Sequence, residues 1–338
     1  MATQEKKMKT AFLLGLPFLA SAALAAPTLE KETQLFIEAA HKATPLYTLS
    51  YEDARSVLDS VQQEKIATAK TSIQDTSFPV GPTGNVAIRI IRPQNASGKL
   101  PVILYLHGGG WVMGNRNTHD NLIQELSAQT GAAVVFVEYE NAPELKYPDN
   151  NEQAYAALEY VSKHGHNFGL DSTKIAVAGD SAGGNMAAAI TLMAKERKGP
   201  TIKHQLLFYP VTSDISENES YTKFGEGPFL TKKAMEYFLK ANYPEDRRNE
   251  VLAFPLLATD EQLQGLPSAT IIVAENDLLR DEGEAYARKL ANAGVQVTST
   301  RYNGTIHDFV MLNALAKTPA ASSAISQAAT ELKKAFSK

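Results

Sequence analysis

The 338-residue chain has no cysteine, which excludes disulfides, zinc–thiolate sites and iron–sulfur clusters together. Charge of one sign is also scarce. The 33 basic and 37 acidic residues leave a formal net charge of −4, with no basic block interleaved with aromatics, so nucleic acid is not an expected partner. Long apolar runs are missing except near the N-terminus, where "EKKMK" precedes "TAFLLGLPFLASAALAA". A basic start, a short apolar core broken by Pro17 and the small-residue motif Ala23-Leu24-Ala25 predict a secretory signal over residues 1–25. The core is too short for a spanning helix, and cleavage would leave Ala26 first in a secreted or periplasmic protein. Met8 offers an alternative start, since "MKT" supplies a basic n-region by itself. No other segment is apolar enough to insert stably in a membrane.

What remains, residues 26–338, is ordinary globular material: the chain is 44% hydrophobic and 21% charged. Apolar spacing of three and four predicts helices within residues 31–70, over "ETQLFIEAAHKA" and "YEDARSVLDSVQQEKIATAK". After the turn cluster "VGPTGNV", short runs bounded by Gly, Pro, Asn or Asp predict strands: "VAIRIIRP", "PVILYLHG", "AAVVFVEYE", "KIAVAGD", "HQLLFYP", "ATIIVAEND" and "VQVTSTRYN". Amphipathic stretches such as "HDNLIQELSAQTG" and "DEGEAYARKLANAG" alternate with them. That alternation predicts one α/β domain with a mostly parallel central sheet and helices on both faces. Two segments fall outside the rhythm, about 27–75 and 212–250. They are expected to form a small helical cap over the carboxyl ends of the strands, where open α/β sheets bind ligands.

The sharpest local signal is "VAGDSAGGN", which sets Gly179-x-Ser181-x-Gly183 between a strand and a helix. That context makes a nucleophile elbow, with the serine exposed on a tight turn near the positive end of a helix. The second signal is "YLHGGGWVMG". Three glycines cost a strand end backbone entropy, but bare N–H groups can stabilise the negative charge that develops on a carbonyl oxygen during acyl transfer. Gly109 and Gly110, with Ala182 after the nucleophile, are the candidate oxyanion donors.

A serine needs a base, itself oriented by a carboxylate. Downstream of Ser181 stand only His204, at the start of a predicted strand, and His307 in "YNGTIHDF", after the last strand. The order serine, acid, histidine selects His307. In "VAENDLLRDEG" the loop position favours Asp277 over Glu275, Asp281 and Glu282, with a helix N-cap as its competing role. His107 reads as a structural imidazole, and His41 and His119 as surface or N-cap residues. The "HGH" pair His164 and His166 lacks the carboxylate a metal site would want, so neither metal nor cofactor is expected.

Together these motifs resemble the hormone-sensitive-lipase-like family of α/β-hydrolases, in its group of bacterial carboxylesterases, over about residues 75–338. "HGGGWVMG" is similar to the oxyanion loop, "GDSAGGN" to the elbow, "NDLLRDEG" to the aspartate motif and "GTIHDF" to the histidine motif. The stretch "VEYENAPELKYPDNNEQAYAAL" resembles the segment after the third main strand. The resemblance implies Ser181 as nucleophile, His307 as base, Asp277 as orienting acid, and Gly109, Gly110 and Ala182 as oxyanion donors. Two departures stand out. Leu278 follows the aspartate where proline is usual, and Glu140 replaces a usual arginine, which would alter the packing beneath the oxyanion loop.

The expected protein is therefore a serine carboxylesterase acting on a small-molecule ester of short to medium acyl chain. Trp111 and Phe229 are the expected walls of the substrate site, and the base is expected to titrate near neutrality. A deacetylase or amidase with the same triad is the nearest alternative. A non-catalytic binding protein on the same scaffold is a further one, against which an intact His307 argues. Oligomeric state is left open.

Overall fold

Residues that alternate along the apolar runs part to opposite faces of one sheet. In the computed structural model, which describes residues 28–338 apart from 65, 67 and 68, the strands are β1 (Thr71–Phe78), β2 (Val86–Pro93), β3 (Leu100–Leu106), β4 (Ala133–Glu138), β5 (Leu170–Asp180), β6 (Ile202–Phe208), β7 (Ser268–Asn276) and β8 (Val297–Ile306). Their order is β1-β2-β4-β3-β5-β6-β7-β8. Antiparallel pairing joins β1 to β2 and β2 to β4; every other neighbouring pair is parallel. Val102, Leu104 and Leu106 of β3 enter one core while Ile103 and Tyr105 enter the other, which is the period of two expected of a strand covered on both faces.

The helices are α1 (Lys31–Ala40), α2 (Tyr51–Val61), α3 (Asp120–Thr130), α4 (Asp149–His164), α5 (Ala182–Glu196), α6 (Glu219–Phe224), α7 (Lys232–Asn242), α8 (Asp260–Leu263), α9 (Arg280–Asn292) and α10 (Pro319–Phe336). Helices α4, α5 and α9 fill the first core; α3 and α10 fill the second. Helix α3 ends where Gly131 turns left-handed at φ 74°, the C-cap its sequence announces.

Two readings of the N-terminal region are corrected. The helix predicted across 51–70 stops at Val61, because Gln62 turns inward and is held from several sides. Its side-chain amide donates to the carbonyls of Thr118 (2.6 Å) and Met311 (2.9 Å), while its Oε1 accepts from Asn313 N–H (3.0 Å). Residues 71–75, placed in the cap, belong to β1. This edge strand shows no apolar alternation because most of it is exposed, Ile73 included. The signal predicted over 1–25 lies outside the described residues. Among those described, no helix is long and apolar enough to cross a membrane.

Candidate active site

Five loops at the carboxyl ends of the parallel strands converge on one point. Ser181 sits between β5 and α5 with φ 51° and ψ −117°, a conformation costly for any residue with a side chain. Its N–H donates to Phe208 O (2.9 Å), and Val211 N–H donates to its carbonyl (3.2 Å). The turn is therefore clamped by the neighbouring strand. At Gly183 a Cβ would overlap the backbone carbonyls of Leu106 and His107, so the helix can approach the sheet only without a side chain there.

Asp277 follows β7 and His307 follows β8, and both are buried. His307 Nδ1–H donates to Asp277 Oδ2 at 2.7 Å, which leaves Nε2 of the neutral ring to accept from Ser181 Oγ–H at 2.9 Å. The second oxygen of Asp277 accepts from Leu279 N–H (2.9 Å). The helix therefore starts at Arg280 without a side-chain cap from Asp277. Leu278, which stands in the usual proline position, is fully buried, and its carbonyl accepts from Ser220 Oγ–H (2.6 Å). Asp281 accepts from Ser220 N–H (2.7 Å), and Glu282 from Thr212 N–H (2.7 Å). Hydrogen bonds to the 212–220 segment thus hold this loop where a proline ring would otherwise stiffen it.

Burial alone would disfavour a charged His307, but the carboxylates of Asp277 and Asp308 outweigh it and push its pKa up to about 9. The expected titration near neutrality is corrected on that ground. His107 behaves oppositely. Burial, aided by the neighbouring His119 ring, pushes it down to about 3. Its Nδ1–H donates to Gly108 O (2.9 Å), its ring stacks on Tyr139 at 4.1 Å, and it supports the loop as a neutral group.

The loop after β3 presents Gly109 and Gly110, with φ 104° and 63°. Among the described residues, the N–H groups of Gly109, Gly110 and Ala182 donate to no protein acceptor. The structure gives a further reason for the glycines. A Cβ at Gly108 would overlap Asp180, one at Gly109 the Met113 carbonyl, and one at Gly110 the Phe238 ring. The protein itself occupies those directions. Asp180, fully buried, accepts from Tyr105 O–H (2.7 Å) and Gly108 N–H (3.0 Å) and lies 3.2 Å from His119 Nε2, so it ties the elbow to the loop. Burial would raise its pKa, yet His119 and Tyr105 hold the carboxyl below its ordinary value. His119 does stand at the N-cap position of α3, but its side chain makes no cap bond and is fully buried, not on the surface. Glu140 is exposed to solvent rather than packed beneath the loop after β3. Arg55 of α2 braces that loop instead, donating to Val112 O (2.8 Å) and Ala142 O (2.9 Å) while paired with Glu144.

Ser181, His307, Gly109 and Gly110 open on a cavity of about 520 Å³, within the size range of small-molecule sites. Its walls come from α1 and α2 on one side and residues 226–238 on the other, and they are mostly apolar. Phe229 is there, with its ring centroid 5.5 Å from that of Phe36. Trp111 borders the cavity but has no accessible surface, its ring edge-on to Tyr243 at 5.0 Å. Sequence reasoning missed Phe238, which lies against Gly110, and also Met235, Leu58 and Phe36. Their apolar helical spacing was the available signal, and any buried helix shows the same. Among the described residues, no group of three or more His, Asp or Glu is placed to hold a metal ion.

The alpha/beta hydrolase fold family matches residues 103–311, and the chain belongs to that family. A thermostable esterase from Pseudomonas putida ECU1011 is 44% identical and superposes with a TM-score of 0.90, over 92% of this chain and 98% of its own. The carboxylesterase NlhH of Mycobacterium tuberculosis is 36% identical over 254 residues, 75% of this chain and 79% of the relative. An esterase of Gibberella moniliformis is 37% identical over 260 residues, 76% and 82% of the two chains. Relatives thus include a fungal protein beside bacterial ones, and the likeness reaches the family without singling out a bacterial branch.

Proposed function

We propose that this protein, a carboxylic ester hydrolase, works through Ser181 as nucleophile, His307 as base and Asp277 as the acid that orients it. The observation that carries the reading is the unbroken line from Asp277 Oδ2 through the imidazole to Ser181 Oγ, ending beside amide donors that no group among the described residues occupies. Ser181 Oγ adds to the ester carbonyl as its proton passes to His307 Nε2. The oxyanion takes the N–H groups of Gly109, Gly110 and Ala182, each contributing about 3 kcal/mol. The carbon–oxygen bond to the alcohol then breaks as Nε2–H protonates the departing oxygen. Water, activated by the same nitrogen, releases the acid from the acyl-enzyme.

The elbow, oxyanion and histidine motifs support placing the chain in the hormone-sensitive-lipase-like group. Walls drawn from residues 36–61 and 226–238 support a split cap, and their aromatic rings support short to medium acyl chains. The N-terminal pattern supports export with cleavage after Ala25, checked by sequencing the mature N-terminus. The test of the activity is a panel of p-nitrophenyl esters and aryl acetamides. Ester turnover is expected to dominate; efficient anilide cleavage with negligible ester hydrolysis would favour the amidase instead.

A further inference from the structure

The cavity has two sides that meet solvent differently. On one, the loop after β8 carries His307 and, a turn later, Leu312, whose N–H donates to Asp308 O (2.9 Å). Gln62 ties the end of α2 to this loop through Met311 O and Asn313 N–H. Phe36 and Phe229 pack against the core that contains Phe309 and Leu312. On the other side, Met235 and Phe238 of α7 belong to the core that contains Trp111, and Phe238 lies against Gly110. Val57, Leu58 and Val61 face the cavity from α2 at the three- and four-residue spacing of one helical stripe. Val57 and Val61 are 38% and 39% exposed, against 2% and 5% for Met235 and Phe238, so the histidine side is open and the oxyanion side closed. Among the described residues five large apolar side chains are exposed, and three of them, Leu35, Val57 and Val61, stand on α1 and α2. The open side therefore has an apolar rim, which a soluble surface does not gather without use.

We propose that the open side is the alcohol site and that it selects esters of large apolar alcohols, aromatic, cyclic or long-chain, while the closed side limits the acyl group. The inference rests on Ser181 as nucleophile and His307 as proton carrier. Nε2 must hand its proton to the leaving oxygen, so that oxygen sits within hydrogen-bond reach of Nε2. The alcohol then extends along the histidine side, over Leu312, Leu58 and Phe36 and out past Val57 and Val61. The carbonyl oxygen lies on the Gly109 and Gly110 N–H groups, which turns the acyl chain towards Phe238. Polar groups on the open side are already engaged. Asp308 turns its buried Oδ1 to His307 Nε2 at 3.4 Å, and His41 Nε2 lies 2.8 Å from Pro228 O. An alcohol there gains by burying apolar surface, and its far end meets solvent instead of a wall. An acyl chain of equal length meets buried side chains, where extra methylenes overpack.

The test compares kcat/KM across two ester series held below their solubility limits. Ethyl, butyl, hexyl, octyl, cyclohexyl and benzyl acetates vary the alcohol and share one acetyl-enzyme. Ethyl acetate, butyrate, hexanoate and octanoate vary the acyl group. In the wild type the alcohol series should rise by up to about fourfold per methylene that meets the apolar wall and then level off, with cyclohexyl and benzyl acetates about tenfold or more above ethyl acetate. The acyl series should peak and fall. Ala40 lines the cavity one turn after Phe36. Ala40→Phe should bring the cyclohexyl-to-ethyl ratio close to one without moving the acyl optimum. Val61→Asn makes the rim polar at the exposed last residue of α2, and should lower the octyl-to-ethyl ratio. A substitution that merely destabilised the fold would lower every ester alike and leave the ratios in place. An alcohol series that falls beyond butyl as the acyl series does, or variants that move the acyl optimum and spare the alcohol ratios, overturns the proposal. Failure to hydrolyse p-nitrophenyl acetate would instead overturn the esterase reading itself.

Discussion

The strand ends and the cavity wall of this protein are built under different constraints. At the strand ends, a serine at φ 51°, a glycine pressed against two carbonyls and an aspartate that divides its oxygens between an imidazole and a backbone N–H leave almost no choice of residue. Along the wall, Phe36, Leu58, Met235 and Phe238 come from three helices and need only be apolar and of suitable volume. Chemistry is therefore fixed tightly and substrate choice loosely. Substitutions at the strand ends should abolish turnover, while those in the wall should redistribute it.

The largest effect should follow Ser181→Ala. Loss of a triad nucleophile lowers kcat by about 10⁶, while circular dichroism and the melting temperature should change little because one hydroxyl is removed. More than about a tenth of the activity surviving would mean another nucleophile. Asp277→Asn should come next, with kcat lower by about 10⁴. The oxygen that accepts from Leu279 N–H would be retained by the amide carbonyl, which turns the NH₂ towards His307 Nδ1. That imposes the wrong tautomer, with Nε2 protonated and unable to accept from Ser181. Wild-type kcat in this variant would remove Asp277 from the site.

Gly110→Ala probes the seam between the two regions. The new methyl would overlap the Phe238 ring at a backbone φ of 63°, so either the donor or the wall must shift. Displacing one oxyanion donor costs about 10²–10³ in kcat, with KM for a short ester little changed. A rise in KM alone would assign this position to the wall.

How much of this was legible follows the same division. Seven strands and the residues Ser181, Asp277 and His307 could be read from sequence because each lies in a short segment with a local constraint. β1 could not, since an exposed edge strand lacks alternation. The end of α2 could not, since the partners of Gln62 lie at Thr118, Met311 and Asn313, far along the chain. Arg55 and Phe238 were hidden for the same reason. Their contacts with the oxyanion loop exist only once the helices have docked.

The strand ends also set a pH response. With His307 raised to about 9, the neutral base needed for attack is the minor form at pH 7, so kcat/KM should climb nearly tenfold per pH unit below that value and level off above it. The same shift has the opposite sign for stability. The folded state holds the proton more tightly than an unfolded histidine of pKa 6.5, so this contribution is complete below pH 6.5 and is lost as pH rises through about 9. Activity and melting temperature should therefore move in opposite directions across that window, relative to a His307→Gln control. A flat kcat/KM from pH 6 to 9 would contradict the raised value.

The smallest effects belong to the wall, and they separate Trp111, the wall expected from sequence, from Phe238, which the sequence did not single out. Phe238 lies against Gly110 and lines the cavity, whereas Trp111 has no accessible surface and packs edge-on to Tyr243. Phe238→Ala should open space beside the acyl group. Each methylene that then finds apolar surface gains about 0.8 kcal/mol, or about fourfold in kcat/KM. The optimum across p-nitrophenyl acetate, butyrate, hexanoate and octanoate should move to longer chains. Trp111→Ala should leave that optimum in place and instead destabilise the fold by about 3–5 kcal/mol, the usual cost of emptying a buried aromatic site. The opposite pattern, with Trp111→Ala lengthening the preferred chain and Phe238→Ala merely lowering the melting temperature, would exchange their places in the wall.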